Sequence, residues 1–320
     1  MDYGKTMVFA TNSGAALAAG ICERLSVPLG GARVSRFKDG EVDVQICEDV
    51  RESDVFIVAS LVPPAENFLE LIHMASAAKK ASASRVTLVI SYMGYARSDR
   101  KAASRTPIGV KLAFQMLAIA SPDRMIVLDI HAEQSLAVTD SAIVDHLFGS
   151  AALVPVVREV LTDDAFVIAS PDRGGTTRAG IYAKFLGEDD DFVILSKMRT
   201  KAGEVDEGST KIIGDVKGKT VVFVDDMIDG GGTMIAGAKV VKSAGATRVI
   251  AVVTHGIFSG DALQRLQESD IDLVFVTDSI HHGGAKLNAC SKIRVVSVAC
   301  LLADAVRRTH EGDSLSALIL

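Results

Sequence analysis

Short aliphatic runs alternate with longer stretches of helical period along most of the chain. DVFIVAS (54–60), RVTLVIS (85–91), RMIVLDI (124–130), AFVIAS (165–170), FVILS (192–196), TVVFVD (220–225), RVIAVVT (248–254) and DLVFVT (272–277) read as strands. Their continuous apolar character suits parallel strands covered on both faces. Segments near 14–25, 65–80, 108–120, 151–161, 175–186, 232–243, 259–268 and 300–309 predict helices between them. Repeated strand–helix–strand order implies βαβ crossovers and doubly wound, mainly parallel sheets flanked by helices. The alternation runs twice and weakens around 135–150, which predicts an α/β protein of two tandem domains, 1–148 and 149–320. Two segments break the rhythm. Residues 33–46 alternate apolar and polar about Asp39-Gly40, the pattern of a β-hairpin. Residues 197–210 (KMRTKAGEVDEGST) are polar and glycine-bearing, and predict a mobile lid-type loop.

Composition narrows the class. Hydrophobic residues make up 48% of 320 and aromatics 5%, with no Trp, so the core must be built from Val, Ile, Leu and Ala. A net charge of −6 argues against a nucleic-acid partner, so phosphate chemistry would have to rest on local cations and metal ions. Cys22, Cys47, Cys290 and Cys300 form no C-x-x-C pair, which argues against a zinc site or disulfide framework and fits a reducing compartment. No apolar run approaches the roughly 18 residues of a membrane span. The first twenty residues lack a basic n-region, so they read as folded protein and the cytoplasm is the expected location.

The strongest chemical signal is TVVFVDDMIDGGGTMIAGAKVV (220–241). A strand delivers Asp225 and Asp226, and Asp229, Gly230, Gly231, Gly232 and Thr233 then lead into a helix. Ligands of open α/β sheets bind at the carboxyl ends of strands, and a helix N-terminus with approachable N–H groups attracts anions. Paired acids beside a phosphate need sugar hydroxyls or a divalent ion to satisfy them, so the segment describes a phosphorylated sugar. Glycines alone would equally suit a plain βα turn; the acids before them and the Thr after them favour the site.

This segment resembles the ribose 5-phosphate loop shared by phosphoribosyltransferases and ribose-phosphate pyrophosphokinases. FKDGEVDVQI (37–46), SYMGYARSDRK (91–101), LDIHAEQ (128–134) and SPDRGGTTRA (170–179) resemble the pyrophosphokinase pattern in its order and spacing, and the similarity runs from about Phe9 to the C-terminus. The resemblance implies two phosphoribosyltransferase-like domains and transfer of the ATP diphosphoryl group to ribose 5-phosphate. It implies Mg²⁺ held by His131 and Asp172, with Lys197 and Arg199 meeting the transferring group. It places ATP against Arg97, Ser98, Asp99 and Arg100, with Phe37, Asp39 and Glu41 supplied by a neighbouring subunit's hairpin. A homo-oligomer, in the family a hexamer built from dimers, follows from that. Arg51, Ser82, Ser314 and Ser316 match positions of a phosphate and ADP effector site. The chain departs from the family at Gly230 (usually Thr), Ser98 (usually Gln), Met198 (usually Arg), 135–139 and His281–Gly284. These departures motivate a second reading, a non-catalytic paralogue assembling with active subunits. A phosphoribosyltransferase acting on a base is a third, opposed by the additional ATP-type loops.

Overall fold

The computed structural model describes residues 3–161, 165–172, 174–187, 192–199 and 205–318, excepting the side chains of 197–199, 205–209, 284 and 285. The chain forms two compact units. The first runs through Phe148 and also takes Ser279–His281 and the C-terminal segment from Val298; the second takes Gly149–Asp278 and His282–Ser297.

Unit 1 begins with β1 (Thr6–Ala10) and α1 (Ala15–Leu25), then the hairpin β2 (Ala32–Arg36) and β3 (Val42–Ile46). It continues with β4 (Asp54–Ser60), α2 (Glu66–Lys80), β5 (Arg85–Tyr92), α3 (Gly109–Ala118), β6 (Arg124–Leu128) and β7 (Ile143–Leu147). Five strands form a parallel sheet in the order β1-β4-β5-β6-β7, with Val8 opposite Phe56 and Val89 opposite Ile126. Strand alternation splits the apolar residues. Phe9, Ile57, Leu88, Ile90 and Val127 join Leu71, Met74 and Phe114 of α2 and α3 in one core. Helix α1 packs against β1 and β4.

Unit 2 runs α4 (Ser150–Val160), β8 (Phe166–Ser170), α5 (Thr176–Leu186), β9 (Phe192–Arg199), β10 (Val205–Ile213), β11 (Thr220–Ile228) and α6 (Gly232–Ser243). It then adds β12 (Arg248–Gly256), α7 (Ala262–Glu268), β13 (Leu273–Thr277), the single turn α8 (Gly284–Leu287) and β14 (Ile293–Val296). The sheet order is β10-β9-β8-β11-β12-β13-β14, parallel except for β10. Along β11, Val221 and Phe223 face the core that holds Met234, Ala238 and Leu266, whereas Val222 and Val224 face Leu153, Val157 and Tyr182. Helices therefore cover both faces, which is why β11 shows no polar alternation until Asp225.

Two findings revise the element assignment. The polar stretch 197–210 is not one loop: β9 continues to Arg199 and β10 starts at Val205, so only 200–204 lie outside strands and outside the described residues. As an edge strand pairing on one side, β10 can carry polar residues that a central strand could not. The last helix, α9 (Ala299–Glu311), packs on α1 in unit 1, whereas a linear division at 148/149 places it with the second half. Its buried stripe of Leu301, Leu302, Ala305 and Val306 supplies the apolar face. A buried polar network fastens it: Arg85 Nε donates to Asp54 Oδ1 at 2.8 Å, Arg85 Nη2 to Thr309 O at 2.8 Å, and His310 Nδ1 lies 2.9 Å from Asp54 Oδ2.

Candidate functional site

In unit 2 the chain leaves β8 in both directions: β9 adds on one side and β11 on the other. This reversal opens a crevice beyond the carboxyl ends of β8 and β11, the place where open α/β sheets take ligands. Asp172 follows β8, and Asp225 to Thr233 occupy the end of β11 and the start of α6. Lys197 and Arg199 lie at the carboxyl end of β9, the neighbouring parallel strand; their side chains lie outside the described residues.

Each acid has a defined setting. Asp172 Oδ1 accepts from Gly174 N at 2.7 Å and Gly175 N at 3.3 Å, which closes the turn that leads into α5 and orients the carboxylate. Its other oxygen takes no bond from the described residues. Asp226 is 2% exposed, and its backbone N–H donates to Asp225 Oδ1 at 2.9 Å. Burial first, then the neighbouring Asp226 charge, pushes the Asp225 carboxyl well above its usual range; the guanidinium of Arg178 pulls the other way. Arg178 Nη1 sits 3.8 Å from Asp225 Oδ1 and 3.9 Å from Asp226 Oδ1. Sequence reasoning missed Arg178 as a site residue, although it belongs to the stretch SPDRGGTTRA. Its place in the first turn of α5, after the Asp172 turn, was the available signal.

The acid pair yields a prediction with a sign. A raised native carboxyl binds its proton more tightly than the unfolded chain does, so its contribution to stability is lost as pH rises through that raised value. Asp225→Asn should therefore raise the melting temperature near neutral pH, with the gain shrinking towards the ordinary carboxylate range. The same change should lower any turnover that uses the pair as a charged hydrogen-bond acceptor by about 10- to 100-fold. Melting curves at two pH values and steady-state rates check both halves.

The loop after the pair is shaped for close approach. Gly231 has φ +73°, a conformation that L side chains rarely adopt, and a Cβ there would stand 3.3 Å from Ile235 Cδ1. Gly232 opens α6, so successive N–H groups of the turn and first helical residues are without intrahelical partners of their own.

The expected nucleotide residues of unit 1 lie at its sheet's carboxyl edge and on the hairpin. Arg97, Ser98, Asp99 and Arg100 follow β5, and His131 follows β6 as an exposed residue. Ser98 shapes its own loop. Its Oγ accepts from Gly109 N at 3.0 Å and its carbonyl from Val110 N, which ties the loop to the start of α3. Ser98→Ala should cost about 1 kcal/mol, the usual net worth of one hydrogen bond, measurable by urea unfolding. Phe37, Asp39 and Glu41 form the tip between β2 and β3, where Phe37 N donates to Glu41 O and Glu41 N to Asp39 Oδ1. Phe37 is 55% exposed, an uncommon setting for an aromatic ring.

Of the expected effector positions, Arg51 and Ser82 lie on adjoining turns linked by Glu52 N donating to Ser82 O at 3.0 Å. Ser314 and Ser316 line a unit 1 cleft of about 730 Å³ with Arg85, Arg124 and His310. His282, in the divergent His281–Gly284 stretch, bonds through Nε2 to Gly256 O and packs on the Phe258 ring, which makes it a structural histidine. No group of three metal-type side chains occurs among the described residues.

The described site is thus an acid pair and a glycine turn at the switch point of a doubly wound sheet. A family profile described as the N-terminal domain of ribose phosphate pyrophosphokinase matches residues 6–120, and one described as a phosphoribosyl synthetase-associated domain matches 196–320. The chain is 43% identical to a ribose-phosphate pyrophosphokinase of Chromobacterium violaceum, covering 99% of this chain and 95% of the relative, and 44% identical to one of Vibrio parahaemolyticus, covering 97% and 98%. The crystal structure of phosphoribosylpyrophosphate synthetase from Mycobacterium smegmatis superposes with a TM-score of 0.89 at 32% identity, covering 97% of this chain and 100% of that one. The chain belongs to the ribose-phosphate pyrophosphokinase family.

Proposed function

We propose that this chain transfers the diphosphoryl group of ATP to the anomeric hydroxyl of ribose 5-phosphate, giving phosphoribosyl pyrophosphate and AMP. The carrying observation is the unit 2 switch point, where Asp225, Asp226 and the 229–233 turn end one strand and Asp172 follows its neighbour. Backbone N–H groups of the turn hold the 5-phosphate, and the acid pair accepts from ring hydroxyls. The anomeric hydroxyl gives up its proton to solvent as its oxygen bonds the β-phosphorus of ATP, while the bond from that phosphorus to the oxygen it shares with the α-phosphorus breaks and AMP departs with that oxygen. Such a transfer needs in-line positioning and neutralised charge more than covalent help from the protein. Lys197 and Arg199, on the strand beside β8, supply that charge.

Mg²⁺ is the cofactor of this reading. Asp172 offers a hard, oriented carboxylate, one oxygen of which takes no bond from the described residues, and His131 an exposed imidazole. Two protein ligands suit Mg²⁺, which keeps waters and binds substrate phosphates. When bound it neutralises polyphosphate charge. ATP is held by Arg97, Asp99 and Arg100, with Ser98 shaping the loop and the exposed tip of Phe37, Asp39 and Glu41 serving a neighbouring copy in a homo-oligomer. Arg51, Ser82, Ser314 and Ser316 form the effector set. No described helix is long and apolar enough to cross a membrane, and the cytoplasm is the proposed location.

The purified chain alone, given Mg²⁺, ATP and ribose 5-phosphate, should release AMP only when the sugar phosphate is present. Lack of AMP from the lone chain, with activity appearing only beside an active relative, would favour the regulatory-partner reading instead.

A further inference from the structure

We infer that Arg265, on α7, is a positioning residue that holds the sugar-phosphate turn in its binding shape. The inference rests on the reading of 225–233 as the ribose 5-phosphate site. The three consecutive glycines of that turn have no side chains with which to fix it, and glycine loses more conformational freedom on ordering than any other residue. Two consecutive residues of α7 add support from outside. Leu266 is fully buried, and its Cδ2 stands 3.6 Å from where a Cβ on Gly231 would project. Arg265 Nη1 donates to Gly230 O at 3.0 Å. The same guanidinium lies alongside the neighbouring backbone: Nη1 is 3.9 Å from the Cβ position of Gly230, and Nη2 is 3.7 Å from that of Gly232. A planar cation therefore spans the turn from its first glycine to its third.

The arrangement has an electrostatic consequence as well. The guanidinium puts a permanent positive charge beside backbone that receives a dianionic phosphate, and its weak hydration and planar donor fork suit that position. Gly230 gives the turn neither a hydroxyl donor nor a side-chain anchor, so its carbonyl bond with Arg265 fastens the first of the three glycines. The helix that carries Arg265 is itself held by the buried Ala262, Leu263 and Leu266. Arg265 is exposed, so its removal opens no core cavity.

The test is a split between kinetic constants. Arg265→Ala should raise KM for ribose 5-phosphate about tenfold or more, the usual worth of a hydrogen bond from a charged donor. KM for ATP should stay near the wild-type value, and kcat should fall far less than KM rises. Arg265→Lys, which keeps the charge but not the fork, should recover part of the loss, and Arg265→Gln, close in shape, is read in parallel in case alanine disturbs the helix. Melting curves should move little for all three. An active wild type whose folded Arg265 variants keep a normal KM for the sugar phosphate overturns the inference while leaving the functional reading intact, as does an equal rise in both KM values. A wild type that forms no AMP from ribose 5-phosphate overturns both.

Discussion

Lys197→Ala is expected to slow turnover by about two to three orders of magnitude, the loss seen when one preorganised charge partner of a transition state is removed. Residue 197 lies at the carboxyl end of β9, next to the strand that Asp172 follows. Its backbone pairs with Thr210 across the β9–β10 ladder, which alanine can maintain. The expected signature is therefore a fall in kcat with unchanged melting and nearly unchanged affinity for ribose 5-phosphate. Uniform binding would give the opposite pattern, a raised KM with kcat preserved. Near-normal kcat in the variant would remove Lys197 from the reaction.

Asp54→Ala should destabilise the protein by about 3–5 kcal/mol, because removing one partner of a buried ion pair leaves the other uncompensated. Asp54 is wholly buried, at 0% exposure, and the Arg85 side chain retains only 9%. The pair joins β4 to β5, and through Thr309 O and His310 it also holds the end of α9. The Tyr3 ring stacks 3.9 Å from the Arg85 guanidinium and shields it further. Alanine would leave the guanidinium with the Tyr3 ring and the Thr309 carbonyl but no carboxylate. Denaturant unfolding should show the loss, and hydrogen exchange should show α9 opening more readily than the helices α2 and α3 over the main core. A loss below about 1 kcal/mol would mean that water already solvates Arg85 from the neighbouring cleft, as it does in exposed pairs.

Central strands were legible and three of the four edge strands of the two large sheets were not, for one physical reason. A central parallel strand such as β4 or β11 is covered on both faces, and its apolar run is unbroken through Val58 or Val224. Strands β7, β10 and β14 stand at sheet edges, and IVDHL, VDEGSTKII and IRVV carry charges that a half-covered strand tolerates. The hairpin around Asp39-Gly40 was legible because its turn chemistry is local. The packing of α9 with unit 1 was not, because it depends on Asp54 and Arg85, charged residues whose burial no periodicity reveals.

The same division runs through the site. The 225–233 turn could be read because strand, acids, glycines and helix are consecutive in the chain. Arg178 and Arg265 were missed because each reaches the turn or its acids from another helix, and a lone arginine on an exposed helix looks like any solvated cation. Ser98 was legible as a departure, but its bond to Gly109 required the loop to fold back on α3.

The most direct measurement is ³¹P NMR of a reaction containing the purified chain, Mg²⁺, ATP and ribose 5-phosphate. Diphosphoryl transfer predicts AMP and a sugar carrying a new diphosphate at its anomeric carbon, formed in equal amounts with the β and γ phosphorus atoms still joined. ADP with a singly phosphorylated anomeric carbon, or free inorganic phosphate in place of the sugar diphosphate, would contradict it.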